Sequence, residues 1–205
     1  MYSMMRMEPD SFRSLVAHFI DTGLLRDSKH IDVEKKLVIF LHIIAHNMRN
    51  KAINTLFQHS AATTSKVFHK CLDAMIKFSK EMIVHTNFGE PPRLIRHHKK
   101  LREGVFRGVV GALDGTLIPA SILVKDQTPY RGRGGGICFQ NVMAICDFDM
   151  YFTYVVTGWE GVAHDSRVLI KTLNKPVHNF PMPPTHGNGH YLFVDVYHSL
   201  YVSSC

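Results

Sequence analysis

The first half of the chain carries apolar residues at helical spacing. The stretch after Asp10 has one apolar stripe, and Gly23 follows where that helix would end. The stretch after Asp32 has another. The first stripe is Phe12, Leu15, Val16, Phe19 and Ile20, and the second is Leu37, Phe40, Leu41 and Ile44. The pattern therefore predicts two amphipathic helices.

Two more helices are predicted, at about Asn50–Phe57 and Thr64–Ile83, joined by a short polar connection. Thr63 or Thr64 would cap the second helix. Their buried contacts would be Ile53, Leu56, Phe57, Val67, Phe68, Cys71 and Leu72. Two helices with a tight turn resemble a helix-turn-helix, and a plain packed bundle is the alternative. In a helix-turn-helix the residues that face outward would be Thr64, Ser65, Lys66, His69 and Lys70.

The pattern changes near residue 107, from helical spacing to short apolar runs. Strands are predicted at Val109–Ile118, broken by turn residues, at Gln140–Asp147 and at Tyr151–Thr157. Asp149-Met150 would form a hairpin turn. A helix beginning at Asp165 or Ser166 and a strand ending at Asp195 complete the order. The fold class is therefore α/β, with a helical domain over 1–90, a linker over 91–107 and a sheet domain over 108–205.

Composition and charge narrow the class of protein. The chain is 45% apolar and 20% charged, which is typical of a globular protein, and its apolar runs are too short to span a membrane. Residues 1–110 hold 18 Lys and Arg against 10 Asp and Glu, whereas residues 111–205 hold 6 against 7. A basic part joined to a slightly acidic part suits DNA binding beside a metal site, although a solvated basic surface has the same charge.

Four cysteines lack the spacing of a zinc ribbon, so buried reduced thiols are expected. They are Cys71, Cys138, Cys146 and Cys205.

Arginines and lysines cluster in two places that could contact phosphates. The predicted linker opens at Pro91-Pro92, and the second cluster lies in a glycine-rich loop. The candidates are Arg93, Arg96, Lys99 and Lys100 in the linker, and Arg131 and Arg133 in the loop. For both clusters, solvated surface is the alternative reading.

Three aspartates stand at the ends of predicted elements in the second half. Asp114 ends or interrupts the first strand, Asp165 begins a helix, and Asp195 ends a strand. Carboxylates at strand ends can converge on one edge of a sheet, where they bind hard divalent cations. Two such cations can activate a nucleophile and stabilise the leaving oxygen in phosphodiester cleavage. Aspartates are also common at turns and helix caps, so the spacing alone leaves both interpretations open.

The sequence segments around these aspartates resemble the nuclease domain of PIF/Harbinger-type transposases and their domesticated plant relatives. They are GALDGTLIPA, then YRGRGGGICFQNVMAICDFDMYFTYVVTGWEGVAHDSRVL, then YLFVDV. The helical stretch before them, from MRMEPDSFRSLV to FQHSAATTSKVFHKCLDAM, resembles the region that precedes the nuclease domain in the same family.

The resemblance implies an RNase H-like domain of the DDE superfamily behind a helix-turn-helix-like domain. It implies Asp114 and Asp195 as catalytic carboxylates and Asp114, Asp165 and Asp195 as ligands of Mg²⁺ or Mn²⁺. It also implies hydrolysis of DNA phosphodiester bonds in the nucleus, with a separate Myb/SANT-like DNA-binding protein as a partner.

The sequence departs from the family pattern near its end. The family's last catalytic glutamate lies beyond the Asp195 motif and is absent from this sequence, and the motif continues DVYHSLYVSSC. Losing a member of a catalytic set typically costs orders of magnitude in rate. The expectation is therefore a nuclease with impaired activity. The alternatives are an inactive domesticated relative that binds DNA or protein, and a fragment of a decayed element.

Overall fold

A computed structural model gives the structure of the chain. It describes residues 5–48, 50–84, 86–104, 106–132, 136–182 and 191–194, with side chains except at 50, 51 and 191–194. The chain divides into two compact units, Met1–Glu81 and Met82–Cys205. Among the described residues, no helix combines the length and the apolar character that crossing a membrane requires.

The first unit contains the four predicted helices. They are α1 (Pro9–Asp21), α2 (Val33–His46), α3 (Asn50–Phe57) and α4 (Ala61–Met82). Asp32 caps α2, because its side chain accepts a hydrogen bond from the Lys35 amide at 2.7 Å. Gly23 follows α1 with a φ of 67°, the left-handed conformation that glycine adopts without strain.

The core of the first unit is made by one stripe from each helix. Phe19, Leu37, Ile53 and Cys71 are fully buried. Two residues predicted to be buried, Leu56 and Leu72, are exposed. Leu72 is exposed because it lies outside the buried stripe of α4. That stripe consists of Thr64, Val67, Cys71 and Ala74.

Helix α4 begins at Ala61, three residues before the predicted start at Thr64. Ser60 rather than Thr63 or Thr64 caps it, since the Ser60 Oγ accepts from the Thr63 amide at 3.1 Å. Thr64 was expected to face outward, but it is buried and its hydroxyl donates to Asn54 Oδ1 at 2.7 Å. This bond joins α3 to α4. Lys66, His69 and Lys70 are exposed, as predicted.

A lysine and a cysteine are buried together in this unit. The Lys36 ammonium donates to the Arg26 carbonyl oxygen at 2.5 Å, and the Cys71 thiol donates to the Lys36 carbonyl oxygen at 3.5 Å. Burial raises the pKa of Cys71 to about 11, so the thiol stays protonated. Cys71 and Cys138 are buried and free, as expected, whereas Cys146 is partly exposed. Cys205 lies outside the described residues.

Lys36 makes the stability of this unit depend on pH. Burial, and then the charge of Lys70, lower the pKa of Lys36 below its usual 10.5. The unfolded chain therefore binds more protons between the two pKa values, and the free energy of unfolding rises with pH in that window. We expect the stability of the wild type, relative to a Lys36→Met variant, to increase as the pH approaches 10.5.

Urea unfolding of both proteins, followed by circular dichroism at several pH values, measures this difference. A difference that stays constant or falls with pH would contradict the expected burial of the charged ammonium.

The second unit begins with two short helices, α5 (Arg93–His97) and α6 (Lys99–Glu103). They occupy the segment predicted to be a linker, which belongs to this unit and is helical. Ile95 explains the difference, because it is almost fully buried and anchors α5. Three short 3₁₀ turns follow later, at Val124–Asp126, Thr128–Tyr130 and Pro176–His178.

The described strands of the second unit form one mixed sheet in the order β3-β2-β1-β4. Strands β1 (Val109–Pro119), β2 (Phe139–Cys146) and β3 (Phe152–Glu160) are antiparallel neighbours. Strand β4 (Tyr191–Val194) pairs with β1 in parallel. The predicted α/β class is therefore confirmed, because the first part of the chain is helical and the second part contains a mixed sheet.

Two local predictions for the sheet need correction. Strand β1 continues without a break through Asp114-Gly115, because β2 pairs with it along the whole stretch. The hairpin turn is wider than two residues: the Asp147 carboxylate accepts from the amides of Asp149 and Tyr151, at 2.9 and 2.8 Å. Strand β3 consequently begins at Phe152 and extends to Glu160.

One face of the sheet is covered by helix α7 (Asp165–Leu173). Leu113, Met143 and Ile145 lie on this face and form a core with Val168 and Leu169 of α7. The residues that alternate with them on β1 point to the other face. These are Ala112, Asp114, Thr116 and Ile118, and all four are exposed.

Candidate functional site

Asp114 lies in the middle of β1 on the exposed face of the sheet. Its partner on β2 is Ala144, a small residue that leaves space around the carboxylate. The Asp114 Oδ1 atom accepts a hydrogen bond from the Gly115 amide at 2.7 Å. Among the described residues, Oδ2 takes part in no hydrogen bond or ion pair. An exposed carboxylate whose second oxygen makes no such contact can act as a ligand of a cation.

Asp165 lies against the opposite face of the same strand. A Cβ atom added to Gly115 would come within 2.2 Å of the Asp165 Oδ1 atom, so the carboxylate rests directly on the glycine. Because Asp114 and Gly115 are consecutive in a regular strand, their side-chain directions are opposite. The structure therefore places the two carboxylates on opposite faces of β1, so Asp165 does not share a cation with Asp114 as the resemblance implied.

A buried asparagine fixes the Asp165 carboxylate. The Asn141 amide nitrogen donates to Asp165 Oδ1 at 2.7 Å and to the Ala163 carbonyl oxygen at 3.0 Å. Both partners are acceptors, so the amide nitrogen of Asn141 and not its oxygen faces them. Asn141 is 2% exposed, and its Oδ1 has no hydrogen-bond partner among the described residues. A satisfied donor with an unsatisfied acceptor is unusual for a buried amide.

A pocket of about 680 Å³ opens on this face of the sheet. Its walls come from the last residues of β1, the first of β2 and the turn before α7. Leu117, Ile137 and Val162 supply exposed apolar side chains. The other lining residues are Gly115, Gly132, Phe139, Asn141, Gly161, Ala163, His164 and Asp165. The volume is in the range of ligand-binding pockets, and the Asp165 carboxylate is the acidic group in it.

Asp195 lies outside the described residues. The residue before it, Val194, is the register partner of Leu113, which precedes Asp114. The last described residues of β4 thus lie beside the part of β1 that leads into Asp114.

Some of the cations predicted to contact phosphates are exposed, and others already contact a side chain of the protein. Arg93, Lys99 and Lys100 are exposed. The Arg96 guanidinium pairs with Glu90 at 3.0 Å, which occupies part of its charge. Arg131 is exposed beside the pocket-lining Gly132, and its guanidinium donates to Gln127 Oε1 at 3.3 Å. Arg133 lies outside the described residues.

The described residues contain no group of three histidine, cysteine, aspartate or glutamate side chains close enough to hold a metal ion. A complete cation site would therefore need Asp114 together with ligands from elsewhere, such as Asp195. Trp159 is partly buried and packs against the core of the second unit, and the Lys171 ammonium lies 5.7 Å from the centroid of its ring.

Residues 1–77 are similar to a family described as a domain of unknown function, DUF8040. The match covers almost all of the first unit. No curated protein matches the chain, and no solved structure matches it.

Two residues of the site were not expected from the sequence. Gly115 lies in the segment GALDGTLIPA and led to no prediction of its own, although a glycine inside a strand often marks a close approach of another group. Asn141 carried no signal of its own. Its role depends on which side chain lies opposite, and Asp165 is 24 residues away in the sequence.

Proposed function

We propose that this chain carries the nuclease centre of a transposase-derived endonuclease of the PIF/Harbinger group, a DDE-type enzyme that hydrolyses DNA phosphodiester bonds in the nucleus. Asp114 and Asp195 are its catalytic carboxylates in this proposal, and Mg²⁺ or Mn²⁺ is its cofactor. When bound, the metal would activate the attacking water and stabilise the leaving oxygen. A separate Myb/SANT-like protein would supply recognition of the DNA target.

The observation that carries the proposal is the register of β1 and β4. Leu113 pairs with Val194 in a parallel ladder, so the residues that precede the two aspartates lie side by side. The proposal takes Asp195, the residue that follows Val194 in the sequence, as the second carboxylate. A mixed sheet is also what an RNase H-like domain requires.

The sequence resemblance and the exposed Asp114 give further support. Asp165 does not belong to this pair, because its carboxylate lies on the covered face. We therefore assign the metal to Asp114 and Asp195 and consider Asp165 separately.

Nicking of supercoiled plasmid tests the proposal. The purified chain is incubated with Mg²⁺, with Mn²⁺ and with EDTA, and the expected result is open-circular DNA with a divalent ion and none with EDTA. Nicking is followed over several hours at several protein concentrations. No nicking with either ion would refute an active nuclease.

The second candidate is a relative that binds DNA without cleaving it. It is favoured by Arg93, Lys99 and Lys100, exposed cations close together on α5 and α6. Such cations release counterions from phosphates, and each phosphate contact contributes about −0.9 to the slope of log affinity against log salt.

The DNA-binding candidate predicts a salt-dependent gel shift in EDTA. Replacing Lys99 and Lys100 with alanine should weaken the shift several-fold and make the salt slope less steep by about 2, since two phosphate contacts are lost. Lys125→Ala with Lys175→Ala removes the same charge from two other exposed positions and is the control. An equal loss in both double variants would mean that only net charge matters.

A further inference from the structure

The pocket on the Asp165 face is separate from the catalytic carboxylate of the proposed nuclease. Asp114 and the pocket lie on opposite faces of β1, and the pocket is lined by Gly115, Leu117 and residues of β2 and the α7 turn. Its chemistry therefore needs its own explanation.

The pocket combines a fixed carboxylate with apolar walls. The Asp165 carboxylate is held in place by the Asn141 amide at 2.7 Å, and its Oδ2 takes part in no hydrogen bond or ion pair among the described residues. Leu117, Ile137 and Val162 surround the opening, and each is about half exposed or more. A cluster of exposed apolar side chains around a polar centre marks a binding site for a ligand with apolar faces.

A hydrated metal ion does not match this environment. Hard cations require several oxygen ligands, and the described residues offer no group of three acidic or histidine side chains. A ligand that presents N–H donors at the edge of a flat apolar body matches it better. A nucleobase has this form, because its faces are apolar and its edge carries donors.

We propose that this pocket receives an unstacked guanine base of a DNA strand, with the Asp165 carboxylate accepting hydrogen bonds from the guanine N1–H and N2 amino groups. This inference rests on the proposed action on DNA. Guanine is selected because it presents two adjacent donors, which one carboxylate accepts together. Thymine presents one N–H between two carbonyl oxygens, and those oxygens repel a carboxylate.

The surroundings fit a base that remains attached to its strand. The exposed Arg131 lies next to the pocket-lining Gly132, and its guanidinium can contact a phosphate while the base is inside. Phe139, which is partly buried, offers an aromatic ring on the pocket wall. Stacking of bases on aromatic rings is a general means of holding single-stranded DNA.

The test measures binding of labelled thymidine oligonucleotides in EDTA, where no cleavage occurs. One oligonucleotide has a central deoxyguanosine, the second has deoxyinosine, which lacks the N2 amino group, and the third has thymidine. The wild-type chain should bind the deoxyguanosine oligonucleotide about tenfold more tightly than the other two, the discrimination typical of one bidentate contact.

Two variants assign that preference to the pocket. Asp165→Asn keeps an acceptor for Asn141 and should remove the preference, whereas Asp114→Asn should keep it. Val162→Trp, at an exposed position of the opening, should weaken binding of the deoxyguanosine oligonucleotide without lowering the melting temperature. An equal affinity for all three oligonucleotides, or a preference that survives Asp165→Asn, would overturn the proposal.

Free dGMP and dTMP distinguish a strand-borne base from a free nucleotide. Competition by dGMP at concentrations far above that of the oligonucleotide supports a pocket for a base within a strand. Competition by dGMP at concentrations equal to or below that of the oligonucleotide would mean that the pocket binds a free nucleotide. That result would overturn the proposal of a base within a DNA strand. Nicking with a metal ion but without a guanine preference would refute the guanine-binding proposal and support the nuclease. A guanine preference without nicking would support guanine binding and refute an active nuclease.

Discussion

Replacing Asp114 with asparagine will reduce metal-dependent nicking to the level measured in EDTA, because a catalytic group acts as a unit and loses its activity when an essential carboxylate is removed. Asparagine keeps the oxygen that accepts the Gly115 amide, now at 2.7 Å, so the strand is preserved. The lost property is the negative charge on the exposed face. Initial rates of plasmid nicking with Mg²⁺ and Mn²⁺, together with melting temperatures, measure the effect.

Asp165→Asn is the matched control for this prediction. It removes one negative charge from the other face of β1, and it still accepts from Asn141. We expect its nicking rate to fall less than about tenfold, since a carboxylate that does not touch the reacting atoms contributes little of the transition-state stabilisation. Equal losses in the two variants would contradict the assignment of the metal to the exposed face.

Replacing Gly161 with alanine will destabilise the second unit by about 3 kcal/mol, near the upper end of what overpacking typically costs. The added Cβ would lie 2.3 Å from the Phe139 carbonyl oxygen and 2.9 Å from the Tyr130 carbonyl oxygen. Both are backbone atoms, so a side-chain rotation cannot relieve the collision. The start of β2 or the turn before α7 must move.

Urea unfolding followed by the fluorescence of Trp159, the single tryptophan of the chain, measures this loss in the second unit. Gly89→Ala is the control, because its Cβ would meet a side-chain atom, Asn87 Oδ1, at 3.2 Å. We expect that variant to lose less than about 1 kcal/mol, since its neighbour can rotate away. A Gly161→Ala protein as stable as the wild type would mean that the turn before α7 is free to shift.

The sequence by itself determined the order and type of most elements. The apolar stripes of α1 to α4 and the short apolar runs of β2 and β3 were sufficient, because helical burial imposes a period of 3.6 and strands are short apolar segments bounded by turns. The pattern also placed Asp32 directly before α2, and the structure shows that its side chain caps this helix through a residue three positions away. The same local reasoning misplaced the start of α4 and the exposure of Leu56, Leu72 and Thr64.

The tertiary structure alone decided which faces of the sheet Asp114 and Asp165 occupy. The sequence led us to expect three carboxylates at one edge, and the position of each at an element end gave no information about side. Alternation along an unbroken β1 sends Asp114 to the exposed face, whereas α7 brings Asp165 onto Gly115 and Asn141. These contacts join residues 24 to 50 positions apart, so they depend on how β1, β2 and α7 pack together. No local pattern records that packing.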